Sequence, residues 1–167
     1  MSSLSIEEAV HKYSEMLYRL AFAKTGNSHD AQDIVQETFL KLVRSQKTFN
    51  DEEHRKAWLI RVTVNAGKNL NLSAHKRRNV GDDGNRPEAG KNDENLSLIE
   101  TKAVVYPAVM ALPEKYRTII HLFYYEDMQI EQICRVTGLG RNTVKSRLHR
   151  ARALLKEELE EVDFNEY

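Results

Sequence analysis

Apolar residues recur along this chain at helical intervals. In "IEEAVHKYSEMLYRLAFAKTG", Ile6, Val10, Tyr13, Leu17 and Leu20 are three or four positions apart, the repeat of one helical face, and Gly26 ends the pattern. "SHDAQDIVQETFLKLVRS" predicts a second helix, with Ser28 as N-cap, acids in its first turns and Ile34, Val35, Thr38, Phe39, Leu42 and Val43 turned inward. A third helix, over about residues 54–78, follows the polar loop "QKTFNDEEH" and ends in a basic cluster from His75 to Arg78. Within it Trp58, the one tryptophan, is expected to anchor the core, because Leu59 and Val62 continue its apolar face.

The pattern then lapses. "NVGDDGNRPEAGKNDEN", residues 79–95, is almost free of apolar side chains and has too little surface to bury to offset the entropy of ordering it. It is expected to be a flexible linker. A helix from about Leu96 is interrupted or re-entered at Pro107. "LPEKYRTIIHLFYYE" predicts another, with Pro113 near its first turn and Ile119, Ile120 and Phe123 inward. "MQIEQICRVTGLGRNTVKSRLHRARALLKEEL" has a short helix, a tight turn with Gly138 and Gly140, and a longer helix, the spacing of a helix-turn-helix. Ile130, Ile133 and Cys134 would face the longer helix while Leu139 plugs the turn. Nothing alternates as a strand does. The expected fold is all-α, with two small helical domains at 1–78 and 96–167.

Charge changes the picture only when it is divided along the chain. Lys and Arg number 25, as do Asp and Glu, so the net balance says nothing about partners. Residues 79–100 hold six acids and two bases, whereas residues 101–155 hold nine bases and four acids. Thr143–Leu155 contains Lys145, Arg147, His149, Arg150 and Arg152 and no carboxylate. At 100° per residue, Val144, Leu148, Ala151 and Leu155 fall within an arc of about 60°, which must face the core. Opposite lie Asn142, Ser146, His149 and Arg150, flanked by Thr143 and Lys145. Amide, hydroxyl, imidazole and cation suit base edges and phosphates in a DNA major groove. A merely solvated helix would interleave acids at i, i+4. Neutralising phosphates would make binding steeply salt-dependent, with a log–log slope of roughly 0.9 per phosphate.

Other chemistry is sparse. Cys134 is the single cysteine, so no internal disulfide and no cysteine-based zinc site is expected, and its thiol fits a packing role. His11, His29, His54, His75, His121 and His149 show no metal spacing, and no Gly-rich phosphate loop occurs. Neither a cofactor nor a metal is expected, nor enzymatic activity: Asp33 and Glu37 are an i, i+4 pair on one helical face, with nothing beside them that marks acid–base work. With no run long enough to span a membrane and no apolar leader, the chain is expected in the cytoplasm.

The C-terminal segment "LPEKYRTIIHLFYYEDMQIEQICRVTGLGRNTVKSRLHRARALLKEEL" resembles region four of bacterial sigma factors, with "TVKSRLHRAR" similar to its recognition helix. "HDAQDIVQETFLKL" resembles the region-two helix that docks on core RNA polymerase, and "AWLIRVTVNAGKN" resembles the following, promoter-facing helix. Two motif sets in this order, separated only by a short linker, resemble the extracytoplasmic-function group. The resemblance implies a specificity subunit that binds core polymerase, directs it to promoters and helps to open them, often restrained by an anti-sigma factor.

Carried onto residues, the resemblance implies polymerase contacts at Asp30, Asp33, Gln36 and Glu37, an acidic and amide face that as plain chemistry suits a basic partner or water. It implies that Phe49 and Asn65 hold one flipped-out base of the minus-ten element; an aromatic ring with an amide suits that task, although Phe49 as core and Asn65 as a cap is the plainer alternative. Arg61, Lys68, Asn69, Lys76, Arg77 and Arg78 match where the family meets minus-ten DNA, with Asn69 standing where many relatives carry Asp. Asn142, Thr143, Lys145, Ser146, His149 and Arg150 match the minus-thirty-five reading positions. The linker's acidity fits a nucleic-acid mimic threaded through the polymerase's cationic channel. Tethering two weak modules to one scaffold raises their effective concentration, so neither has to bind tightly. A freestanding helix-turn-helix regulator would account for the C-terminal half but not for "DAQDIVQETF" with "AWLIRVTVN".

Overall fold

A computed structural model describes residues 5–77 and 105–165, with side chains for 5–66 and 105–160. The described residues form helices and no strand: α1 (Ile6–Thr25), α2 (Ser28–Ser45), α3 (Glu52–Arg77), α4 (105–110), α5 (Glu114–Ile120), which continues as one wider π-type turn over His121–Tyr125, α6 (Ile130–Thr137) and α7 (Arg141–Asn165). The expected linker 79–95 and the helix start near Leu96 lie outside the described residues.

Local chemistry sets the helix ends. Ser5 and Glu8 make a reciprocal capping box at the start of α1, each bond 3.1 Å, satisfying backbone donors that a helix start leaves free. Gly26 ends α1 in the left-handed region at φ 67°, its N–H on the Phe22 carbonyl. The cap of α2 is one residue earlier than the sequence suggests. Asn27, not Ser28, accepts from the backbone N–H groups of His29 (2.8 Å) and Asp30 (3.1 Å); its amide oxygen holds two donors where a serine hydroxyl usually holds one. Gly138, at φ 75°, closes α6 with its N–H on the Cys134 carbonyl. Residues 105–110 are helical through Pro107 rather than interrupted there, and Pro113 caps α5 from outside. The acids that follow Lys156 belong to α7, which runs on through them to Asn165.

The N-terminal helices α1, α2 and α3 pack on one another, α7 packs on α5 and α6, and the two sets meet where α1 contacts α5 and α3 contacts α6. One continuous cluster of buried side chains runs from Ala9, Leu17 and Leu20 through Leu59 and Val64 to Ile119, Ile133, Val144 and Leu155. Polar contacts cross the same seam. Buried Lys24 pairs with Glu114. Arg117 donates from Nε to the Ala23 carbonyl (2.8 Å) and from a terminal nitrogen to that of Lys24 (3.2 Å), so a guanidinium neutralises the negative end of α1. His121 and Glu126, both buried, lie 3.1 Å apart.

The inward residues expected of α1 are buried from Tyr13 onward, but Ile6 is 45% exposed. In α2, Ile34, Thr38, Phe39 and Leu42 are buried and Val35 is half-buried, whereas Val43, expected inward, is 48% exposed. The α2 apolar stripe is wider than the surface its neighbours cover. Phe123 is half-buried rather than core.

Candidate nucleic-acid interface

Helix α7 separates its two faces as the 100° rule requires. Val144, Leu148, Ala151 and Leu155 are buried, while Asn142, Thr143, Lys145, Ser146, His149 and Arg150 are all exposed. Its first turn follows Gly140, whose carbonyl accepts from the Val144 N–H at 3.0 Å. Lys115 and Tyr116 of α5 stand beside the polar face, and with Asn142, Thr143, Ser146, Arg147 and Arg150 they line an open groove of about 550 Å³. Three of those seven residues are cationic and none is acidic, so the groove favours an anion. Lys115 and Tyr116 were not among the residues the sequence pointed to, the adjacent cation and aromatic of "PEKYR" being their only signal; Arg147, named in the acid-free cationic run, was not placed on the reading face. Arg152 belongs elsewhere. It donates to the Tyr124 hydroxyl at 2.7 Å and its guanidinium lies 5.3 Å from the Phe123 ring centre, bracing α7 on the turn after α5.

On α3, Trp58, Arg61, Asn65, Lys68, Asn69 and Lys76 fall within an arc of about 100°. Arg61 and Asn65 are exposed. Lys68, Asn69, Lys76 and Arg77 continue the helix, and Arg78 lies outside the described residues. Phe49, half-buried in the loop before α3, has its ring centre 5.7 Å from that of Trp58 and 5.4 Å from that of His54. Asn65 is two turns beyond Trp58, about 10 Å along the axis at 1.5 Å per residue. Trp58 is therefore not a fully buried anchor: it is half-buried, packed on the core on one side and with Lys47 Nζ 5.7 Å from its ring centre.

On α2, Asp33, Gln36 and Glu37 are exposed and Asp30 is half-buried. Asp33 lies 3.9 Å from His29 Nε2. These groups do not stand alone. A groove of about 660 Å³ between α1 and α2 is floored by Val10, Tyr18, Val35 and Phe39, edged by Leu40 and Val43, and rimmed by Asp33 and Gln36. Leu40 and Val43 are 43% and 48% exposed, and this apolar component was hidden because periodicity assigns such residues to the core. Among the described residues no three His, Cys, Asp or Glu side chains are placed to hold a metal ion, and no helix is long and apolar enough to cross a membrane. The Cys134 thiol is half-buried against the core, in keeping with packing.

Comparison with known proteins follows the same division of the chain. Residues 9–78 match the model of sigma-70 region 2, and residues 104–155 that of sigma-70 region 4. The RNA polymerase sigma factor SigV of Bacillus subtilis is 35% identical over 153 residues, covering 92% of this chain and 90% of that protein. The extracytoplasmic-function sigma factor SigL of Mycobacterium tuberculosis is 31% identical over 154 residues, covering 90% and 86%. Among solved structures, the sigma factor RpoE of Bartonella quintana, in complex with the anti-sigma factor NepR, superposes with a TM-score of 0.71 at 22% identity, covering 92% of this chain and 96% of that one; that likeness is one of fold.

Proposed function

The chain belongs to the extracytoplasmic-function sigma factors of the sigma-70 family, and from that premise we propose how its surfaces divide the work. It is an alternative sigma factor: it binds core RNA polymerase, directs it to specific promoters and helps to open them. In our reading residues 1–78 dock on polymerase and engage the minus-ten element, residues 79–95 link, and residues 96–167 engage the minus-thirty-five element. Catalysis is left to the polymerase, and the chain works in the cytoplasm without a cofactor.

The observation that carries this division is the exposed, acid-free face of α7 above a fully buried apolar stripe. Asn142, Thr143, Lys145, Ser146, His149 and Arg150 read the minus-thirty-five duplex in the major groove, with Lys115 and Tyr116 alongside. A groove that converges cations without a carboxylate supports phosphate contact. The α2 groove docks on the polymerase: Leu40 and Val43 supply desolvated apolar area, and Asp30, Asp33, Gln36 and Glu37 meet a basic surface and set the register. Phe49 and Asn65 hold an unstacked minus-ten base, while Arg61, Lys68, Asn69, Lys76, Arg77 and Arg78 follow the strand. The fold neighbour solved with NepR supports a further proposal, that an anti-sigma factor restrains this chain too.

The test is transcription. Purified protein is added to bacterial core polymerase with fragments of the host genome, and start sites are read from the transcripts. Discrete, protein-dependent starts that weaken with Asn65→Ala or Arg150→Ala support the division. No protein-dependent transcripts, together with tight duplex binding in the absence of polymerase, would move the assignment to a freestanding regulator.

A further inference from the structure

A base-holding ring on a loop must be kept still, because a loop positions side chains less precisely than a helix does. The loop of residues 46–51 is short of apolar anchors, and its one aromatic, Phe49, is only half-buried. What holds that ring is a set of side chains from the first two turns of α3. The Phe49 ring centre lies 5.4 Å from His54, with the rings at 84°, and 5.7 Å from Trp58. The Arg55 guanidinium lies over it at 5.7 Å. Such a cation is attracted by the electron-rich face of the ring, and more strongly when both are desolvated. Arg55 is 7% exposed.

The guanidinium is itself held. Arg55 pairs with Glu52 at 3.4 Å through one carboxylate oxygen, and the other oxygen of Glu52 accepts from the Tyr13 hydroxyl at 2.8 Å. Tyr13 is a buried residue of α1, the helix at the centre of the core. Burial foremost, then the hydrogen bond and charge of Glu52, pushes its phenol up to about 12, so it remains a donor across the working pH range. The backbone is pinned at the same place: the Asp51 carboxylate accepts from the His54 N–H at 2.8 Å and its carbonyl from the Arg55 N–H at 3.2 Å.

We infer that Arg55 is a positioning residue for minus-ten selection, its guanidinium clamping the Phe49 ring in the base-holding orientation while Glu52 and Tyr13 tie the clamp to α1. The inference rests on Phe49 holding a minus-ten base, as proposed above, and adds residues to that site that the sequence did not single out. It explains why a charged side chain is buried beneath a surface loop: an unpaired guanidinium there would be costly, and the Glu52 carboxylate offsets that cost while fixing its direction.

The experiment is run-off transcription by the reconstituted polymerase from a promoter mapped by its start site, with each minus-ten position carrying all four bases in turn. Wild type is compared with Phe49→Ala, Arg55→Gln, Arg55→Lys, Tyr13→Phe and the double variant Phe49→Ala with Arg55→Gln. Thermal melts of each accompany the transcription. Phe49→Ala is expected to flatten base discrimination at one position. Arg55→Gln should weaken discrimination at that same position by about two- to fivefold, Arg55→Lys should restore much of it, and the double variant should be no flatter than Phe49→Ala. Tyr13→Phe, nearly isosteric, should act at that position in the same direction but less. A uniform fall at every position with Arg55→Gln, or a wild-type base profile, overturns the positioning role while Phe49 keeps its own. A wild-type profile for Phe49→Ala overturns the pocket reading and the inference with it.

Discussion

Helices α3 and α7 place their outward residues on opposite plans. In α7 the side chains that hold the helix and those that face outward are separate sets: Val144, Leu148, Ala151 and Leu155 are buried, and Asn142, Lys145, Ser146, His149 and Arg150 are exposed. In the loop and first turns of α3 the sets overlap. Phe49 and Trp58 are each half-buried, touching the core and one another, while Arg61 and Asn65 are exposed further along. A helix that lies in a groove needs only a stable back and a polar front. A pocket for a single base needs walls, and walls are made of the residues that also pack.

That difference yields predictions in which stability and recognition come apart on α7 and stay joined near Phe49. The largest effect is expected from Leu148→Ala, which opens a cavity under α7 and should lower unfolding stability in urea by about 2–5 kcal/mol. Next, Arg150→Ala should leave the urea midpoint nearly unmoved, within about 0.5 kcal/mol, yet weaken minus-thirty-five binding by about 1–3 kcal/mol in fluorescence anisotropy at fixed salt. A stability loss with Arg150→Ala would break the separation. Phe49→Ala should cost about 1–2 kcal/mol of stability and minus-ten discrimination together, read by urea unfolding beside run-off transcription.

The smallest effect concerns pH, and both halves of the chain supply tyrosines to it. Tyr13 in α1 and Tyr125 after α5 are both pushed up to about 12, chiefly by burial. Each binds its proton more tightly folded than unfolded, where a phenol titrates near 10. The stability they contribute is therefore whole below about pH 10 and lost as the pH rises to about 12. Urea midpoints should be flat from about pH 8 to 10 and fall above, and Tyr13→Phe should remove part of that fall.

How far the sequence carried each region follows from the same contrast. The two faces of α7 were legible in full, because a 3.6-residue period sorts buried from exposed residues without knowing the partner helix. The acids and amides of α2 were legible, but the groove beside them was not. Leu40 was passed over and Val43 was placed inward, since only the packing of α1 on α2 decides how much of a wide apolar stripe is covered. Ser28 lost the cap to Asn27 for a reason of one residue's geometry. Arg55 and Glu52 gave no signal at all, and Tyr13 signalled only that it faces inward: a charged residue in a polar run carries no mark that it is buried against an aromatic, and Tyr13 is 39 positions from Glu52. Lys115 and Tyr116 meet α7 only in three dimensions.

The most direct test of the account is whether the two faces answer to two different promoter elements. Run-off transcription by reconstituted polymerase is measured from one mapped promoter carrying substitutions in the minus-ten or the minus-thirty-five element, with wild type, Asn65→Ala and Arg150→Ala. Arg150→Ala should become insensitive to minus-thirty-five substitutions while still responding to minus-ten ones, and Asn65→Ala should do the reverse. Equal sensitivity of both variants to both elements, or wild-type behaviour from each, would contradict it.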